Sequence, residues 1–209
     1  MKFTDFKTRT EVFEKFDIDF EILNFVKAKD FQIDEKDKKR LLKPFSKPRV
    51  FNSEYSICEM IISQILSEVS EANDLPLWSH YYLESKEIDL SGVPDYLFAL
   101  EKRGGELYKK PIVCTAEAKK DKFQDAWGEI SAAMVAAQTE NGNDDIPIYG
   151  LVTTGINWQF AILKRKEFIL HGETISATEN FQKLLDYLNW IFFDARKNAD
   201  ILEKLENES

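Results

Sequence analysis

SGVPDYLFALEKRGGELYKKPIVCTAEAKKDKFQDAWGEISAAMVAAQ, residues 91–138, is the stretch that decides how this chain folds. Its first part, Val93 to Leu100, is apolar and aromatic around one acid, Asp95, which directly follows Pro94. Proline cannot donate to a β-ladder and is tolerated at the first position of a strand, so a strand is predicted to begin there. The pair Gly104-Gly105 then turns the chain, and a second apolar run from Pro111 to Ala116 leads into Glu117-Ala118-Lys119. Two strands joined by such a turn make a hairpin. Side chains on a strand alternate faces, so Glu117 and Lys119 point the same way and Ala118 points to the other side. With Asp95 at the same end of the neighbouring strand, two carboxylates and an ammonium converge.

Such a convergence has a chemical use. Two carboxylates a few Å apart repel, and a cation between them relieves the repulsion. Magnesium is hard, prefers oxygen ligands and is typically held by one or two carboxylates plus waters and substrate phosphate oxygens; manganese is its natural substitute. A metal held there would help make hydroxide from water and stabilise charge on a phosphate under attack. Lys119 would orient the water or offset phosphate charge. These residues therefore point to phosphodiester hydrolysis with no covalent intermediate.

Pro94-Asp95, a gap of about twenty residues, and then Glu117-Ala118-Lys119 resemble the PD-(D/E)XK nuclease superfamily, which includes restriction endonucleases, recombination nucleases and Holliday-junction resolvases. Each half of the motif falls in a predicted strand, a turn separates them and a helix follows, which is that superfamily's order of elements. The resemblance covers about residues 53 to 163. Within it the chain is similar to the nuclease modules of helicase-nucleases and of type I restriction subunits. It also resembles a group of small bacterial proteins that pair an EAKKD-type motif with a VTTG-x-x-W strand ending, here Glu117 to Asp121 and Val152 to Trp158.

The resemblance implies a restriction-endonuclease-like α/β core, with a central mixed β-sheet flanked by helices. It implies Asp95 and Glu117 as metal ligands, the backbone carbonyl of Ala118 as a further one, and Lys119 as a catalytic residue. It also implies a glutamate from a helix preceding the first active strand. Ser53 to Ser70 is such a helix, capped by Ser53 and striped by Ile57, Cys58, Ile61, Ile62, Ile65, Leu66 and Val69. Glu54 falls on the middle of that stripe by angle and Glu59 at its edge, so Glu54 is the expected metal-site acid, with Glu59 in reserve; a place in the capping turn is the other reading of Glu54. From Phe123 the apolar positions Trp127, Ile130 and Met134 recur at helical spacing, and Gln138 projects from the same face. Superfamily members carry a glutamine on this helix near the site, which gives Gln138 a supporting role; a buried glutamine bonded to backbone is the alternative. Glu129 is expected to face away.

Composition sets the remaining bounds. The 209 residues suit one domain with an appendage, and 44% apolar residues with 13% aromatics suffice for a core. No apolar run is long enough to span a bilayer and no leader with a small-residue cleavage site opens the chain, so a soluble, cytoplasmic protein is expected, with no membrane partner. Cys58 and Cys114 read as small buried hydrophobes, and no zinc pattern exists; His80 and His171 are far apart in sequence. The net charge of −9 works against binding a polyanion, because phosphate contacts need local positive charge. One concentration exists: Lys36, Lys38, Lys39, Arg40, Lys43, Lys47 and Arg49 stand against a single acid, Asp37. It reads as a solvated linker or helix face, or as a phosphate contact. Lys119, Lys120 and Lys122 add positive charge beside the proposed site.

Residues 1–50 read as a charged, helical N-terminal extension, rich in phenylalanine and suited to a protein partner, with residues 51–209 as the nuclease-like domain. Leu75 to Ser85 is predicted to be an aromatic-rich strand, Ile148 to Thr154 a buried strand parallel to the Glu117 strand, Trp158 to Leu163 its return, and Phe181 to Leu205 a long C-terminal helix. The expected function is a magnesium-dependent nuclease acting on DNA, with RNA left open and a role in restriction or defence implied by the resemblance alone. A homodimer is implied likewise. Two other classes stand beside it: a non-catalytic nucleic-acid- or protein-binding module on the same fold, and an enzyme acting on a nucleotide or tRNA.

Overall fold

The computed structural model describes residues 1–119 and 123–208. Its centre is an eight-stranded mixed sheet in the order β1-β9-β8-β7-β6-β5-β2, with β10 pairing β8. The strands are β1 (Asp19–Leu23), β2 (Leu77–Ser79), β5 (Tyr96–Glu101), β6 (Tyr108–Ala118), β7 (Ile148–Thr153), β8 (Asn157–Lys164), β9 (Glu167–His171) and β10 (Ile175–Ser176). A separate pair, β3 (Leu83–Ser85) and β4 (Leu90–Gly92), lies off the main sheet. The expected hairpin is β5 and β6, antiparallel with Tyr96 opposite Ala116 and Leu97 opposite Thr115. Its turn carries Gly104 and Gly105, both at positive φ.

Helix α5 (Phe123–Asn141) joins β6 to β7, and these two strands pair in parallel, Glu117 opposite Val152. A parallel pair needs such a crossover, whereas β7 and β8 are antiparallel and need only the tight turn at Gly155, whose φ is 82°. A side chain at Gly155 would be strained by that φ and would also meet Ile57 at 2.6 Å.

Period-two burial sends alternate residues into two cores. Tyr96, Phe98, Cys114, Ala116, Tyr149, Leu151, Trp158 and Phe160 face α4 (Ser63–Glu71) and α6 (Phe181–Glu208). Leu97, Ala99, Ile112, Ile148, Val152 and Ala161 face α5 and α1 (Arg9–Phe16). The result is a sheet with helices on both faces. No helix among the described residues is long and apolar enough to cross a membrane.

The first fifty residues are built into this fold. Phe3, Phe6 and Val12 enter the core on the α5 side, while Val26, Phe31, Leu41 and Val50 enter the other. Besides the expected helices, α1 and α2 (Glu35–Leu42), the segment supplies β1 as a parallel edge strand beside β9. Gly128 of α5 lets it sit close: a Cβ there would lie 2.6 Å from the Phe6 carbonyl oxygen. The Leu75 to Ser85 strand is broken, because His80, at φ 51°, ends β2 and sends β3 to pair with β4.

Ser53 caps the expected helix, accepting a hydrogen bond from the Ser56 N–H. The helix has three parts: α3 (Glu54–Ile57), a π-helical turn (Cys58–Ile62) and α4. In the π turn the Ser63 N–H reaches back to the Cys58 carbonyl, which also accepts the Tyr96 hydroxyl at 3.1 Å. That bond ties the helix to the first residue of β5. π-Turns of this kind are frequent near functional sites.

Candidate active site at the carboxyl end of the hairpin

Extending the register of β5 and β6 by one step from Tyr96 and Ala116 puts Asp95 opposite Glu117. Both lie on the α5 face, because Tyr96 and Ala116 are committed to the other core. Asp95 is fixed in place by accepting the Ala118 N–H at 2.8 Å through Oδ2. On its other side Oδ1 lies 3.5 Å from Nε2 of His80, and the His80 N–H donates to the Asp95 carbonyl at 2.9 Å.

Lys119 follows at the end of β6, anchored by its N–H to the Thr153 carbonyl of β7 at 3.0 Å. Its Nζ donates to Glu117 Oε1 at 2.9 Å and stands 3.4 Å from Glu129 Oε1. Beside it the VTTG turn is closed by Thr153 Oγ1, which accepts the Gly155 N–H, while Trp158 Nε1 donates to the Gly155 carbonyl. Glu54 completes the group from the start of α3, acting electrostatically on Asp95, Lys119 and Cys58.

Electrostatics follow from burial and crowding. The Glu117 side chain is only 7% exposed, and burial, then the Asp95 charge, push its pKa up to about 8. Burial also raises Asp95, against the Ala118 N–H bond and the His80 and Lys119 charges, which lower it. Burial disfavours the Lys119 ammonium, but Glu117, Glu129 and Glu54 outweigh it and hold the pKa above its ordinary range. The carboxylates of Glu54, Asp95, Glu117 and Glu129 thus crowd one ammonium and one imidazole. Burial and the mutual repulsion of Asp95 and Glu117 disfavour their ionised forms, and a cation bound between them would favour those forms.

Among the described residues no three His, Cys, Asp or Glu side chains form a ready metal cage. Magnesium asks for less, since one or two carboxylates with waters suffice. Asp95 and Glu117 are such a pair, and a hard divalent ion would favour the ionised form of Glu117 that burial disfavours. The oxygen donors of Asp95 and Glu117 fit magnesium or manganese.

The structure therefore brings together Asp95, Glu117, Ala118, Lys119 and Glu54. Glu59 is exposed and turns from this group toward the groove lined by Arg40, Lys43 and Lys47. Gln138 is not brought to the group. It lies fifteen residues into α5, about 22 Å along the axis, in a groove with Phe16, Ile88 and Val135. Its Nε2 is buried without a hydrogen-bond partner.

Glu129 occupies the place by the site that Gln138 was expected to take, because α5 has no solvent face at this level. Every residue from Ala126 to Ala137 is buried except Glu129. Turning from the sheet-facing stripe leads here to Lys119, not to water. His80 escaped the sequence reading for want of a register, since only the pairing of Ser79 with Tyr96 brings it level with Asp95. Lys120 and Lys122 lie outside the described residues. No family model matches the chain, and no curated protein matches it.

Proposed function

We propose that the chain is a magnesium-dependent nuclease that hydrolyses phosphodiester bonds of DNA, on a restriction-endonuclease-like core. The observation that carries this reading is the meeting of Asp95, Glu117 and Lys119 at one end of β5 and β6, with Glu117 buried beside Asp95. Asp95 and Glu117, with Glu54 and the Ala118 carbonyl in reach of the same end, would hold the metal. Bound there, magnesium supplies a lowered pKa for water and charge stabilisation at the phosphate. The chain's own contribution is positional. Lys119, kept protonated by its acidic neighbours, presents a fixed ammonium to an attacked phosphate, and Glu129 holds it in place. The Ala118 N–H and His80 fix the Asp95 carboxylate on both sides. A site on one chain suits a homodimer where both strands of a duplex are cut.

Calorimetric titration of magnesium and manganese into the wild-type chain and the Asp95→Ala and Glu117→Ala variants, with DNA and RNA cleavage by each, tests the reading. Binding and cutting are expected to vanish together in both variants. Because Glu117 titrates at about 8, metal binding below that pH should expel a proton. The heat will then depend on the ionisation enthalpy of the buffer, and metal affinity will rise with pH until about 8. Metal affinity that survives Asp95→Ala would instead favour the non-catalytic binding module.

The placement of α5 yields a second expectation. Gln138→Ala should leave cleavage within about twofold, whereas Glu129→Gln, which loosens Lys119, should lower it about tenfold, the scale of a lost supporting contact. Equal effects of the two changes would contradict the assignment of Glu129 to the site.

A further inference from the structure

One edge of the sheet is open. β1 ends the strand order, and among the described residues no strand pairs with its outer side. All five of its residues, Asp19 to Leu23, are exposed. The Asp19 N–H donates inward, to the Lys166 carbonyl just before β9, at 2.7 Å. Successive residues of a strand turn their backbone groups to opposite edges, so Asp19, Glu21 and Leu23 face β9 while the N–H and C=O groups of Phe20 and Ile22 point outward. The opposite edge is shielded: β2 has three residues, follows Pro76 and has its first two residues half-buried.

The open edge is also apolar. Phe20 is 40%, Ile22 56% and Leu23 45% exposed, and no two of the other exposed large apolar side chains are neighbours along the chain. Single exposed apolar residues are ordinary on a protein surface, but a run of them on an unpaired strand is not. Phe20 and Ile22 stand on the α1 face, opposite Phe168 and Leu170, where Phe13 stacks on Phe20 at 5.8 Å and the Arg9 guanidinium lies 4.4 Å from the same ring. Asp19 and Glu21 stand on the other face. They make no ion pair with another described residue, whereas Asp17 just before them is tied to Lys166 at 2.7 Å.

The register decides what can cover this edge. A second copy of the chain, paired antiparallel so that both outward residues are used, would set Phe20 against Ile22 twice and the two Glu21 side chains directly against each other. Like charges so placed are destabilising, and a strand carrying a cation at that position gains instead. We infer that β1 is the docking edge for an extended basic segment of another protein, which adds a strand antiparallel to β1, with apolar residues opposite Leu23, Ile22 and Phe20 and Lys or Arg opposite Glu21 and Asp19. Main-chain hydrogen bonds to Phe20 and Ile22 hold the added strand, and alternate side chains select it. Arg9 on the apolar face disfavours a second cation there, which fixes the face the basic residues take. The inference stands apart from the nuclease reading, since β1 lies four strands from β6.

The test is binding of a fluorescent peptide, Leu-Val-Lys-Val-Lys with a Gly-Ser flank at each end, to the full chain, read by anisotropy and by amide hydrogen exchange. With peptide present the Phe20 and Ile22 amides should exchange more slowly, while the Glu21 amide, which faces β9, should keep its rate. Ile22→Pro removes an outward N–H without removing a bond to β9 and should weaken binding about tenfold, the scale of one hydrogen bond. Glu21→Lys should weaken it about fivefold, and the peptide Leu-Val-Glu-Val-Lys should recover that loss on this variant alone. The charge swap decides the matter even where the proline variant melts early.

Unchanged exchange at Phe20 and Ile22 with peptide present overturns the inference, as does a wild-type chain that binds the Lys and Glu peptides equally. So does dimerisation of the wild-type chain at neutral pH that Ile22→Pro abolishes, which would give the edge to a second copy. Nucleic-acid cleavage enters none of these readouts, so the docking edge and the nuclease reading fail separately.

Discussion

Glu117→Gln is expected to lower DNA cleavage by about a thousandfold or more, and in the same chain to raise stability. The first effect follows from removing the carboxylate that Asp95 needs as a metal-binding partner and that orients Lys119 at 2.9 Å, a loss on the scale of removing a metal or charge-stabilising group. The second follows from the sign of the pKa shift. Unfolded, the glutamate titrates near 4.5; folded, burial and Asp95 lift it to about 8. Between those values the native state holds the extra proton, so stability falls as pH rises through the window and stays at its lower level above it. The amide carries no charge and escapes this penalty.

The gain should be absent near pH 4, grow between pH 4.5 and 8, and then level off. Each pKa unit is worth about 1.4 kcal/mol. Part returns as the cost of satisfying a buried amide, leaving a net gain on the order of 2 kcal/mol, or about 4–8 °C for a chain of this length. Thermal melts in chelator at pH 5 and pH 8.5, beside single-turnover cleavage in magnesium, read both effects. A variant that melts lower at both pH values while still cutting would show Glu117 to be an ordinary structural residue.

What the sequence reveals of this site depends on how far apart its parts lie along the chain. Asp95, Glu117 and Lys119 are local to one hairpin, where alternation of side chains and a glycine turn set the register, and all three meet as read. Glu54 was legible by angle because it leads an apolar stripe, and the π turn at Cys58–Ile62 comes after it in the chain. The parallel strand β7 was legible because a long helix separates it from β6.

The misreadings share a physical origin. A helical wheel tells which residues differ from the apolar face, but whether the opposite side meets water depends on what covers it. Here α1, β3, β4 and the N-terminal segment cover α5, so Glu129 meets Lys119. The first fifty residues read as a helical extension because their phenylalanines are scattered among charges, and that reading did not foresee the edge strand β1. Their destinations are contributed by elements more than a hundred residues away: β1 pairs with β9, and Phe13 lies 4.9 Å from Phe168. Composition does not carry such pairings.

Lys119→Met is the converse of the first prediction. The substitution keeps the length and packing of the stem and removes only the charge, leaving Glu117 and Glu129 without the ammonium now 2.9 Å and 3.4 Å away. Breaking a buried pair from one side costs about 3–5 kcal/mol, more than a surface pair, because the remaining charge stays buried. Lys119 is about a quarter exposed, so water will screen part of that, and about 2–3 kcal/mol is expected at pH 8.

Without Lys119 the Glu117 pKa climbs further, since one of the influences lowering it is gone. At pH 5 the glutamate simply keeps its proton, and the variant should be nearly as stable as wild type. Combining Lys119→Met with Glu117→Gln removes both charges, and the double variant should recover most of the stability lost at pH 8 while cutting nothing. The interaction energy from that cycle separates charge pairing from packing. Additive losses at both pH values would mean that the lysine supports the fold through its stem, and that the ammonium held between two glutamates is incidental to it.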